Sequence, residues 1–134
     1  MKDRLQNKVA IVFGAGSIGL GRGNGQASAA LFAANGANVI CLDINRTAAV
    51  SNLVASLVAS VVREHGRSDM LHNNVGYATM GGPIELDEAA SQRTFDLNVK
   101  SCFITGKHVL ERNSARPSTS RRDLPCNTPG TASA

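Results

Sequence analysis

Residues Val9–Phe13 (VAIVF) form a continuous apolar run that ends at a glycine, and seven glycines then crowd between Gly14 and Gly36. A run apolar at every position reads as a strand buried on both faces, as in the middle of a parallel sheet. The glycines demand a stretch of unusual backbone freedom directly after it. Ala27, Ala30, Leu31 and Ala34 then recur at helical spacing, Gly36 stands where a helix C-cap belongs, and Asn38–Leu42 (NVICL) is a second apolar run closed by Asp43. Strand, glycine loop, helix and strand within about 35 residues predict a right-handed βαβ unit.

The pattern continues with a helix over residues 46–65, where Val50, Leu53, Val54, Leu57, Val58, Val61 and Val62 make a broad stripe ended by Gly66. A short third strand is expected over residues 68–71, then a Gly/Met/Pro loop over residues 78–83. Residues 85–90 are expected to open a further helix. Helical spacing of Phe95, Val99, Cys102, Gly106 and Val109 continues to about Leu110. From Glu111 onward the periodicity stops, and three of the chain's four prolines fall there. That segment carries four Arg against one Glu and one Asp, half of the overall charge of +4. With so little to bury it reads as a disordered basic tail over residues 111–134, following a single incomplete dinucleotide-binding domain over residues 1–110. No aromatic residue interleaves with its arginines, which argues against nucleic acid as a partner. Cys41, Cys102 and Cys126 are odd in number and widely spaced, which suits neither a disulfide framework nor a zinc site. No run approaches a membrane span and no signal-peptide pattern opens the chain, so a soluble cytoplasmic protein is expected.

The loop reads Gly14-Ala15-Gly16-Ser17-Ile18-Gly19-Leu20-Gly21-Arg22-Gly23-Asn24-Gly25. Between a buried strand and a helix, it has the chemistry of pyrophosphate binding. Glycines let the backbone approach the phosphates, and the helix's first N–H groups face their charge. Gly14, Gly16, Ser17, Gly19, Gly23 and Gly25 are therefore the candidate phosphate-binding residues. Asp43 follows Gly25 by 18 residues and closes the next strand. A carboxylate there accepts both hydroxyls of an adenine ribose and repels a 2′-phosphate, which favours NAD over NADP. Arg46 nearby speaks for NADP, and a plain strand-end or capping role for Asp43 stays open.

These residues resemble the short-chain dehydrogenase/reductase family. Three motifs carry the likeness. Gly14 through Gly25 is similar to T-G-x-x-x-G-x-G, with Phe13 in place of Thr, about four additional residues, and Gly23-x-Gly25 as the closing pair. Asn73-Asn74-Val75-Gly76 is close to N-N-A-G, and Asn98-Val99-Lys100-Ser101 is similar to N-V-x-S. The resemblance implies a three-layer Rossmann-like α/β fold and hydride transfer between NAD(P) and an alcohol or ketone. It also implies that Asn74 and Gly76 line the cofactor and that Asn98, as a catalytic residue, holds a proton-relay water. A purely structural role stays open for each asparagine: Asn74 tying strand to loop, Asn98 bonding a neighbouring backbone.

The departures are as informative. The family's site needs Ser, Tyr and Lys besides Asn, with Lys four residues after Tyr. The one tyrosine here is Tyr77, and position 81 is glycine. Only 27 residues separate Asp43 from Leu71, room for one helix where the family has a helix, a strand and another helix. The expectation is a truncated relative with an internal deletion, inactive as it stands. Its sheet would shrink from order 3-2-1-4-5-6 to 2-1-4, with bare edges open to self-association. One set of allowed codons for residues 115–129, read two bases later, spells A-T-V-N-I-S-S-R-S-A-L-Q-Y-P. That string is similar to the family's strand before the catalytic Ser, so a shifted reading frame is the expectation for the tail. Two other classes of function stay open, a non-catalytic dinucleotide-binding or regulatory module that associates with a longer relative, and a nucleic-acid binder.

Overall fold

The computed structural model describes residues 3–16, 23–43 and 50–115. Three strands, β1 (Val9–Phe13), β2 (Asn38–Leu42) and β3 (Met70–Asn73), form one parallel sheet in the order β2-β1-β3. β1 pairs with both neighbours, Ile11 lying opposite Ile40 on one side and Leu71 on the other. All five β1 residues are buried, as a strand apolar at every position requires. The expected three-stranded Rossmann-like sheet is therefore present, although β3 begins and ends two residues later than its apolar run suggests. Asp69 explains the shift. Its carboxylate accepts from the Val9 N–H at 2.9 Å and pairs with Arg67, and its own N–H donates to the Val9 carbonyl. The residues before Met70 thus clamp the start of β1, and the ladder begins beyond them.

Helices cover both faces. α1 (Asn24–Ala34) joins β1 to β2, and α2 (Val50–His65) carries the chain from β2 past β1 to β3. After β3 come α3 (Glu88–Phe95), a π-helical turn (Asp96–Lys100) and α4 (Ser101–Ser114). Val9, Ile11 and Phe13 point to one side of the sheet and meet Val54, Val58 and Val61 of α2 and Val109 of α4. Each such buried side chain contributes about 1.5–3 kcal/mol. Ala10 and Val12 point the other way, toward α1. His72 shares their face by register and meets Phe32 of α1 edge to face, with ring centroids 5.7 Å apart. Gly36 and Gly66 end α1 and α2 with φ of 91° and 74°, the left-handed conformation expected of them.

Three readings of the helices need correction. In α1 the inward residues are Gly25 and Ala29, whereas Ala27, Ala30 and Ala34 are exposed and Leu31 is 62% exposed. α3 starts at Glu88, because the Asp87 carboxylate accepts from the Ala90 N–H at 2.6 Å and caps it. Residues 85 and 86 belong instead to a turn bonded back to Gly82. Finally, Phe95, Val99 and Cys102 are exposed, and the buried line of α4 is Ser101, Thr105 and Val109. The π turn inserts one residue into the helical repeat, so the stripe before it rotates off the face that packs after it. α4 also runs on to Ser114, past Leu110 and into the segment read as tail. Residues 116–134, including Cys126, lie outside the described residues.

Candidate dinucleotide site

Parallel strands put all their carboxyl ends at one edge, and the chain leaves β1 toward β2 before crossing to β3 on the far side. That edge, where the connections diverge, is where open α/β sheets bind ligands. Gly14, Asp43 and Asn74 are the residues that directly follow the three strands.

Gly14 turns sharply out of β1 with φ 73°, and its N–H donates to the Leu42 carbonyl at 2.8 Å. A Cβ there would stand 2.8 Å from the backbone of Asn74 and Val75. A Cβ at Gly25 would overlap the Gly14 carbonyl, and one at Gly16 would overlap the Asp43 carboxylate. The first turn of α1 is thereby drawn against the end of β1, and the acidic side chain lies across the loop. Gly23 occupies the α1 N-cap in an extended conformation with no side-chain cap, and the first turn holds no acidic residue. The N–H groups at this helix start face no competing carboxylate of the first turn. The close approaches that only glycine permits fit the group that the loop chemistry implies, a pyrophosphate lying on the backbone. Gly14, Gly16, Gly23, Gly25 and Asp43 are thus brought together, whereas Ser17 and Gly19 lie outside the described residues, as does Arg46.

On the β3 side, the Asn74 N–H donates to the Phe13 carbonyl at 2.9 Å, and its Nδ2 reaches the Gly14 carbonyl at 3.4 Å. Asn98, within the π turn, grips the backbone of Tyr77 from both sides. Its Oδ1 accepts from the Tyr77 N–H at 2.8 Å, and its Nδ2 donates to the Tyr77 carbonyl at 2.7 Å. Gly76 lies beside this pair, since a Cβ built on it would come 3.8 Å from Asn98 Oδ1. Thr105 and the structural part played by Asn73, named above only within its motif, escaped the sequence reading. Asn73 Nδ2 donates at 2.6 Å to Thr105 Oγ1, while Asn73 Oδ1 accepts from the Val75 N–H at 3.4 Å. Thr105 is fully buried and its hydroxyl lies 3.0 Å from the Ser101 carbonyl. This network ties β3 and the loop after it to α4. The doubled asparagine was the available signal, because buried amides require partners. Among the described residues no cluster of His, Cys, Asp and Glu has the form of a metal site, and Cys41 and Cys102 are free.

The family model described as short chain dehydrogenase matches residues 49–118, more than half of the chain. The chain belongs to the short-chain dehydrogenase family. Among curated relatives, the 2-keto-3-deoxy-L-fuconate dehydrogenase of Xanthomonas campestris is 34% identical over 121 residues. The match covers 80% of this chain and 39% of that protein. Galactitol 2-dehydrogenase of Agrobacterium fabrum is 34% identical over 132 residues, covering 84% and 50%. A Burkholderia xenovorans chain solved as a short-chain dehydrogenase/reductase superposes with a TM-score of 0.75 at 40% identity, covering 81% of this chain and 50% of its own. The chain thus spans about 40–50% of the length of these relatives. The family uses NAD(H) or NADP(H) with alcohol and ketone substrates. No helix among the described residues is long and apolar enough to cross a membrane.

Proposed function

We propose that residues 1–110 form the cofactor-binding part of an NAD-dependent oxidoreductase that acts on an alcohol or ketone. The observation that carries this reading is the junction of Gly14, Gly16 and Gly25 with Asp43, a surface of bare backbone beside one carboxylate. Gly14, Gly16, Ser17, Gly19, Gly23 and Gly25 line the pyrophosphate, with the α1 N–H groups supplying positive charge. Asp43 accepts the adenine ribose hydroxyls and disfavours a 2′-phosphate, so NAD is preferred to NADP. Asn74 and Gly76 border the nicotinamide side, and Asn98 holds the loop of Gly76 and Tyr77 that flanks it. Nicotinamide, when bound, supplies the hydride acceptor or donor, and the chain's residues bind and orient it.

Proton transfer to or from the substrate oxygen needs a positioned acid/base, and these 134 residues contain no Tyr-x-x-x-Lys. The 134-residue chain is therefore proposed to bind cofactor without turnover, a positioned acid/base being worth about 10²–10⁴ in rate. The outer edges of β2 and β3, unpaired among the described residues, favour self-association, and the cytoplasm is the proposed compartment. Absorbance at 340 nm tests the catalytic half of the proposal. Pure protein with NAD and a panel of alcohols is expected to give a flat trace, and sustained NADH formation would refute it.

A further inference from the structure

Three side chains on α2 and α4, none of them belonging to the glycine loop or its partners, stand in the order of an acyl-transfer centre. Ser51, in the first turn of α2, has its Oγ 3.2 Å from Nε2 of His108. The other ring nitrogen of His108, Nδ1, lies 3.3 Å from Oε2 of Glu111, one turn further along α4. The second carboxylate oxygen of Glu111 faces Lys107 Nζ at 3.8 Å. The two helices are fixed against each other, since Val54 and Val58 of α2 share one core with Val109 of α4. The His108 side chain is only 17% exposed, whereas Ser51 is open to solvent.

A carboxylate against Nδ1 holds the proton on that nitrogen and leaves the Nε2 lone pair for the serine hydroxyl. A hydroxyl, a base within hydrogen-bond reach and a group that orients the base are what activate a serine. Ser51 is also the second residue of its helix. The first turn of that helix contains no acidic residue.

We propose that Ser51, His108 and Glu111 form a serine esterase centre for small, unhindered carboxylic esters, separate from the dinucleotide site. Ser51 Oγ bonds to the acyl carbon while its proton passes to His108 Nε2. The bond from that carbon to the alcohol oxygen breaks, and the alcohol leaves with the proton from His108. Water then attacks the acyl-serine, giving its proton to His108. The carboxylic acid departs, and the proton returns to Ser51 Oγ. Glu111 acts through His108 as a positioning residue.

The test exposes the full 134-residue chain to a fluorophosphonate probe and to p-nitrophenyl acetate, with circular dichroism on every variant. The expected adduct maps to Ser51 by mass spectrometry and disappears in Ser51→Ala, a solvent-facing change that keeps the fold. His108→Gln is expected to slow labelling by roughly 10²-fold or more. Glu111→Gln slows it less, and Glu111→Asp recovers part of the rate, which a merely structural carboxylate would not do. Ester hydrolysis is expected to show an acyl-enzyme burst that Ser51→Ala abolishes. An adduct elsewhere, no adduct, or unchanged labelling in folded His108→Gln overturns the proposal, as does hydrolysis that survives in Ser51→Ala.

Discussion

The two faces of the sheet are built differently although the same five-residue strand supplies both. On one face, Val9, Ile11 and Phe13 lie under two helices, and α2 and α4 close a core of branched and aromatic side chains. On the other, Ala10 and Val12 lie under α1 alone, while Leu31 of that helix is 62% exposed. The first face is set by apolar burial. The second is set by the glycine loop, because Gly25 must touch the Gly14 carbonyl and that contact fixes how α1 is turned about its axis. Once Gly25 faces inward, Ala29 and Phe32 follow it, and Leu31 is carried outward regardless of its hydrophobicity.

This contrast is breakable. Phe13→Ala removes the largest fully buried side chain of the closed face, and it is expected to cost about 3–5 kcal/mol. In a small three-stranded domain that means loss of the cooperative transition in a urea titration followed by circular dichroism. Thr105→Val, next in size, leaves the Asn73 amide donor unpartnered inside the protein and is expected to cost about 1–3 kcal/mol. The same titration measures it, and a change below 0.5 kcal/mol would mean that the Asn73–Thr105 bond does not hold β3 to α4. Leu31→Ala on the open face is expected to change stability by less than about 0.5 kcal/mol. A loss comparable to that of Phe13→Ala would show that the open face is buried in solution, by self-association or otherwise.

What was legible in the sequence follows the same division. β1 was readable residue by residue, because a strand buried on both faces leaves no polar position to confuse its limits. The stripe of α2 was readable because burial alone orients that helix: Val54, Val58 and Val61 are buried as their spacing demands, although Leu53, also read into the stripe, lies at its margin and is 46% exposed. α1 was readable as a helix but not in its rotation, since a backbone contact at Gly25 outweighs the small alanine stripe. The α4 face was misread for another reason. Its inward residues include Ser101 and Thr105, which are polar, and the π turn breaks the register that carries Phe95 and Val99. At the candidate site, the tight turn at Gly14 and Gly25 was legible because only glycine allows the backbone approaches made there. Asn73 and Thr105 were not, because a hydrogen bond between residues 32 apart leaves no periodic trace.

Gly14→Ala sharpens the account of the loop. It forces a side chain into the left-handed conformation at φ 73° and against the Asn74–Val75 backbone. Cofactor binding should be lost, with a stability loss of at least about 1–2 kcal/mol from the conformation alone. Retained binding would place the cofactor elsewhere.

The claim that the glycine loop and Asp43 form an NAD site is tested most directly by calorimetric titration of the purified chain with NAD and with NADP. The chain is expected to bind NAD more tightly than NADP, and Asp43→Ala to narrow the difference by weakening NAD and relieving repulsion of the 2′-phosphate. Tighter binding of NADP by the unmutated chain, or a preference for NAD that Asp43→Ala leaves intact, would contradict it.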